Sequence, residues 1–278
     1  MISPLRIASD AFRHFAADDG WAIASHIALS TLMALFPFLI VVTALAGFIF
    51  GSQDLADEAA RILLEAWPKA VAGPIAEDIT GVLTNMRGDV LTFGVLFALY
   101  FASSGVESLR IGLNRAYGMK ELRAWWLLRI ESVIYVLVGA VAILAFSFLV
   151  VLAPLILAKL VRFVPALERF GDLITFARYG VAALVLVFAL MILHLWLPAG
   201  RRSFGQIAPG VIATLLLWLI TGAAFGRYLA NYAFAYVSMY AGLASAMVAL
   251  VFLYACASIF IYGGELNSVI LQARTKKS

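Results

Sequence analysis

The chain has 278 residues, of which 64% are hydrophobic and only 13% charged, with a formal net charge of +4. Soluble domains run at about 45–50% apolar and about 25% charged, so the composition excludes an ordinary water-facing enzyme and favours a membrane class. The basic residues are scattered over short loops between apolar runs, which excludes a dense nucleic-acid-binding face and reads as topogenic charge.

In chain order, segment 1–20 carries Arg6, Asp10, Arg13, Asp18 and Asp19 and reads as a cytoplasmic N-terminal segment. The apolar run that follows, Trp21–Phe50, is far longer than the h-region of about 7–15 residues of a signal peptide, so it is a retained first span. A helix needs about 20 apolar residues to cross a hydrocarbon core about 30 Å thick. Pro37 stands in the middle of this one as an expected kink. Segment 51–89 is long and amphipathic and predicts short outer helices broken at Pro68 and Gly73-Pro74. The second span covers about Val90–Ser104 and is short unless it continues through Leu113. Further spans are expected over about Ser132–Ala158, Tyr179–Leu197, Ile207–Phe225 and Leu243–Gly263. The tail 268–278 is basic. The whole reads as one membrane domain over 1–278: an all-α polytopic bundle of about six transmembrane helices.

Orientation follows from Arg and Lys. Val106–Arg129 is the most basic stretch, holding Arg110, Arg115, Lys120, Arg123 and Arg129, and it faces inward if the N-terminus does. Both termini are therefore expected in the cytoplasm. Trp21, Trp125, Trp126 and Trp196 fall at the inner ends of spans, where indole rings favour the headgroup level. Tyr228, Tyr232, Tyr236 and Tyr240 recur every four residues and form one stripe on a helix, an interfacial belt or a substrate-lining surface. The only cysteine, Cys256, lies in an apolar run, which leaves no disulfide framework and no cysteine-cluster zinc site.

Polar residues inside a bilayer are costly and informative. Ser103, Glu107, Arg110 and Asn114 stand at spacings of four, three and four, so one helix face carries all of them. Glu107 and Arg110 can pair, either to fasten the helix to its neighbours or to floor an inward-facing polar pocket. In that pocket Arg110 or Arg115 would hold a phosphate or carboxylate. Glu131 and Glu265 are expected near the inner interface as paired or snorkelling carboxylates, with proton coupling as the alternative. Asn267 follows Glu265 closely enough to join the same pocket. His26 and His194 are lone histidines, read as packing residues or intramembrane polar sites. No spacing of His, Cys, Asp or Glu suggests a metal, no Walker motif is present and no cofactor is expected.

Several short motifs together resemble the YihY/BrkB family of bacterial inner-membrane proteins, once described as ribonuclease BN. They are Ala34-Leu35-Phe36-Pro37-Phe38-Leu39, Gly105-Val106-Glu107-Ser108-Leu109-Arg110, Leu113-Asn114-Arg115-Ala116-Tyr117-Gly118, Pro209-Gly210, Leu217-Trp218, Tyr240-Ala241-Gly242 and Gly264-Glu265-Leu266-Asn267. The chain departs from the family pattern at Ala28-Leu29-Ser30-Thr31, where many relatives carry two tyrosines, so no role carries over to those positions. The resemblance implies six helices, an inner-membrane location and an envelope-related role such as export of a lipid or lipid precursor. The expected activity is a transporter or flippase for an anionic lipid or lipid-linked substrate, with membrane lipids as partners and no nucleic acid. A non-transporting scaffold for envelope biogenesis is the alternative. Nuclease chemistry is disfavoured, since clustered metal ligands are lacking.

Overall fold

The computed structural model describes residues 3–50, 88–147, 171–240 and 244–275. Among them the secondary structure is helical, in seven elements: α1 (Pro4–Ala17), α2 (Gly20–Phe50), α3 (Gly88–Ala116), α4 (Trp125–Ser147), α5 (Gly171–Trp196), α6 (Phe204–Tyr240) and α7 (Ala244–Thr275). The last six correspond one to one with the apolar runs of the sequence. Most of the expected outer segment, 51–87, lies outside the described residues, as do the distal part of the third run and the side chains of Tyr232, Tyr236 and Tyr240.

Local sequence sets the helix ends. Ser3 caps α1, its hydroxyl accepting from the Arg6 N–H at 3.3 Å, with Pro4 in the first turn. Asp19 then takes a left-handed φ of 56° and Gly20 starts α2, where a Cβ would come within 2.5 Å of the Phe15 ring. α3 closes in a Schellman motif: Gly118, at φ 61°, donates to the Arg115 carbonyl and Met119 to that of Asn114. α6 opens on a capping box, in which the Gln206 side chain accepts from the Ser203 N–H at 2.8 Å.

The helices overrun the apolar runs in places. Segment 1–20 is mostly the amphipathic helix α1, which buries Ala11 and Phe15 and leaves Leu5 and Phe12 exposed. α4 begins at Trp125 rather than near Ser132, because the charges of its first two turns are hydrogen-bonded rather than looped out. α6 runs on to Tyr240 rather than stopping near Phe225, and α7 passes Gly263 to reach Thr275. At 1.5 Å per residue, α6 spans about 55 Å and α7 about 48 Å, more than a bilayer core requires. Pro37 lies inside the continuous helix α2.

The chain divides into two compact units. One comprises Met1–Ala34, Ser103–Ser132 and Val187–Ser278, the other Leu35–Ala102 and Val133–Leu186. In the first, α7 packs along α6 and against α1. Helix α6 approaches through Gly210 and α7 through Gly263, where added side chains would collide with the opposite backbone. Gly112 of α3 faces Ile23, Ile27 and Ile261, and Gly264 faces Ala116 and Leu113. In the second unit Leu39, Val41, Val42, Ala98, Val136 and Ala140 are buried.

Large apolar side chains stand outside this packing. Ile212, Leu216, Leu219 and Ile220 of α6 are all more than half exposed, a surface that water would not tolerate and hydrocarbon does. Among the described residues, α4, α6 and α7 each hold a stretch long and apolar enough to cross a membrane, and Gly20–Leu35 and Ala183–Trp196 form shorter apolar helices. The fold is an all-α membrane bundle.

Candidate functional site

The polar stripe of α3 lies in the first unit and meets the start of α4. Arg110 is 1% exposed. Its Nη1 donates to Glu107 Oε2 at 2.7 Å and to the Leu128 carbonyl at 3.2 Å, and its Nη2 to Glu131 Oε2 at 3.4 Å. Ser132 also donates to Glu107, at 3.2 Å. The stripe is extended by Arg129, which donates to Ser103 at 2.7 Å. Of the expected site residues, the structure thus brings together Ser103, Glu107, Arg110 and Glu131. The buried guanidinium is committed through its two Nη atoms to two carboxylates and a carbonyl, while its Nε is buried without a partner among the described residues.

A second layer comes from the loop after α3. Arg123 grips Glu121 through Nε at 2.8 Å and Nη2 at 2.7 Å, and reaches Glu131 with Nη1 at 2.9 Å. The Arg123 guanidinium holds the Glu121 carboxyl at about 2, well below its usual 4.5, and the carboxylate in turn raises the arginine. Asn114 joins here, donating to Glu121 at 3.2 Å and accepting the Ala199 N–H at 2.6 Å. Arg123 Nη2 also donates to the Leu197 carbonyl, so the α5–α6 connection is tied to the α3–α4 loop.

That connection leads to a third cluster. Arg202 donates to the Ala199 carbonyl at 2.8 Å and lies over the Tyr117 ring at 3.9 Å. The Tyr117 hydroxyl accepts from Asn267 Nδ2 at 3.1 Å and stands 2.9 Å from His194 Nδ1. The direction of the bond to Nδ1 follows the histidine tautomer, and His194 Nε2 is buried without a partner among the described residues. Asn267 Oδ1 accepts the Gly210 N–H at 2.7 Å. Burial pushes the Tyr117 phenol up to about 12, and burial likewise lowers Arg202.

The remaining expected residues fall elsewhere. Arg115 is 55% exposed and pairs at 3.3 Å with Asp19, itself 72% exposed. His26 is exposed and stands 3.3 Å from Ser108. Glu265 is buried on α7, outside the hydrogen bonds above. Beside the network lies an open groove of about 370 Å³, lined by Asp19, Ile23, Ile111, Asn114, Arg115, Met119 and Glu121. Glu121, Arg123, Tyr117 and Arg202 are the residues that the helix-spacing argument missed, because they sit on loops and helix ends where no periodicity points to them. The sequence signal for Glu121 and Arg123 was the density of charge between Val106 and Arg129, and for Tyr117 its place in the motif Leu113–Gly118. Among the described residues no three His, Cys, Asp or Glu side chains are gathered to hold a metal ion.

The motifs that close this network, on α3, α6 and α7, are spread over most of the chain, and so is the match to one family: Virulence factor BrkB, over residues 11–278. The chain belongs to the BrkB family. Among curated relatives, the chain is similar to the ribonuclease-like protein YfkH of Bacillus subtilis, 27% identical over 260 residues, covering 93% of each chain. A UPF0761 membrane protein of Rhodospirillum centenum is 23% identical over 265 residues, which is 94% of this chain and 56% of that protein. No solved structure matches the chain. Together with its apolar helices, BrkB membership makes this a membrane protein.

Proposed function

We propose that this BrkB-family chain is a multi-pass protein of the bacterial inner membrane, with six spans and both termini in the cytoplasm. Its task is to move an amphipathic envelope substrate, a phospholipid or lipid-linked precursor, across the bilayer. The groove carries this reading. Its lining combines apolar side chains, Ile23, Ile111 and Met119, with polar ones, Asn114, Arg115, Asp19 and Glu121. Such a lining suits a molecule with a greasy part and a charged head. Arg115 is the cation available to a phosphate: its partner Asp19 is exposed, and exposed ion pairs contribute only about 0–1 kcal/mol. A phosphate offering two oxygens would displace that carboxylate. Arg110, by contrast, is committed to Glu107, Glu131 and Leu128 and serves as the rigid support behind the groove.

Reconstitution into vesicles containing a fluorescent phospholipid tests the reading. Movement of the label between leaflets is expected with wild-type protein and is reduced by Arg115→Gln, while Arg115→Lys keeps part of it. No movement above protein-free vesicles, under any gradient, overturns transport. Co-purification of envelope-assembly proteins that is indifferent to added lipid would then favour the scaffold.

A further inference from the structure

Glu265 stands on α7 with 1% of its surface exposed, and its Oε2 is buried without a hydrogen-bond partner among the described residues. It enters none of the ion pairs found there. The glycines beside it in sequence, Gly263 and Gly264, are used for close approach of α6 and α3 and offer no donor side chain.

The groups around it do not compensate. Asp18, at the α1–α2 junction, is near enough for its charge to act on Glu265, and that charge has the same sign. Tyr117, at the end of α3, also feels Glu265, but its hydroxyl is already engaged by Asn267 and His194. Arg202 directs Nη2 to the Ala199 carbonyl and lies over the Tyr117 ring; its Nη1 is buried without a hydrogen-bond partner, yet none of those ion pairs joins it to Glu265. His194 turns Nδ1 to Tyr117 and is fully buried.

Among the described residues an ionised carboxyl in this place has no counter-ion and one oxygen without a donor, the arrangement that burial penalises most. Adding a proton removes the charge and turns the group into a donor as well. Ionisable residues inside a membrane bundle, kept despite that penalty, mark proton and ion pathways.

We propose that Glu265 is a proton-binding site, and that it is where a proton gradient acts on the transport cycle. The second half rests on the transport reading above; the first does not. Proton uptake converts the carboxylate to the neutral acid and release restores it, with no other reactant.

The two halves are tested separately, on the full chain in vesicles of phosphatidylethanolamine and phosphatidylglycerol. Infrared difference spectra of wild type against Glu265→Gln at neutral pH are expected to show a protonated-carboxyl C=O band present only in the wild type. Absence of that band overturns the proton site. Glu265→Gln, which mimics the neutral acid in shape, is expected to keep the wild-type unfolding midpoint; a sharp fall would reveal a paired, ionised carboxylate and overturn it too. In the lipid-movement assay a pH gradient is expected to speed the wild type and leave Glu265→Gln unaffected. Wild-type movement that ignores the gradient overturns the coupling. No lipid movement at all, with the infrared band intact, overturns transport and leaves the proton site standing.

Discussion

Arg123 places its Nη1 2.9 Å from Oε2 of Glu131, the same oxygen that Arg110 approaches with Nη2 at 3.4 Å. One carboxylate oxygen therefore ties the α3–α4 loop to the buried stripe of α3. Glu131 is 37% exposed and screened by solvent, whereas Arg110 is not.

The first prediction concerns that asymmetry. Arg110→Ala leaves Glu107, 31% exposed, with Ser132 as its donor and frees the Leu128 carbonyl; the carboxylates left behind are partly screened by solvent, so the loss is about 1–3 kcal/mol. Reversing the pair with Glu107→Arg and Arg110→Glu does not rescue it, because the carboxylate at 110 would face Glu131 and cannot donate to Leu128. Unfolding midpoints in detergent for the single and double variants check this. Full recovery in the reversed pair would mean that Glu107 and Arg110 act alone.

Glu121 predicts an acid response. Its folded carboxyl is held at about 2 against the usual 4.5. A depressed acid stabilises the fold at pH values above 4.5 and loses that contribution as pH falls toward 2. Wild-type stability should therefore drop across this window more steeply than that of Glu121→Gln. Parallel curves for the two proteins would contradict the grip of Arg123 on Glu121.

Tyr117 predicts the opposite limb. Its phenol, raised to about 12 from 10.0, favours the folded state below pH 10, and the advantage disappears as pH climbs through 12. Tyrosinate absorbance should show one late-titrating group that is missing in Tyr117→Phe. The same variant keeps a ring under Arg202 but strands Asn267 Nδ2 and His194 Nδ1, at about 1–3 kcal/mol.

Glycine substitutions separate contact from conformation. Gly210→Ala places a methyl group against the Gly263 carbonyl and the Asn267 side chain, and overpacking of this kind costs about 1–3 kcal/mol. Gly222, on the same helix, has nothing within 4 Å of an added Cβ. Gly222→Ala should be neutral or stabilising by up to about 1 kcal/mol, since alanine restricts the unfolded chain. Equal losses in both would place the cost in the helix backbone rather than at the α6–α7 contact.

Apolar run length made the six long helices legible, and four-three-four spacing made the stripe Ser103, Glu107, Arg110 and Asn114 legible, since both are properties of one helix. The network that completes the site is not. Glu121 and Arg123 are two apart on a loop, a spacing that no helix brings to one face, and their meeting with Glu131 depends on how the loop returns. Tyr117, His194, Arg202 and Asn267 come from four places in the chain. The early start of α4 was hidden for a related reason: Arg129 and Glu131 look like charges that end a span until their partners are known. The amphipathic pattern of Pro4–Ala17 was present in the sequence but masked by its charge density.

Asn267 holds the Gly210 amide with its oxygen and the Tyr117 hydroxyl with its nitrogen, beside a backbone contact that admits no side chain. Turning α7 by a single residue, about 100°, would break both bonds, and in one direction it would drive Tyr262 into the Gly210 contact. The α6–α7 pair thus behaves as one solid part, and any hinge within this unit must lie outside that pair.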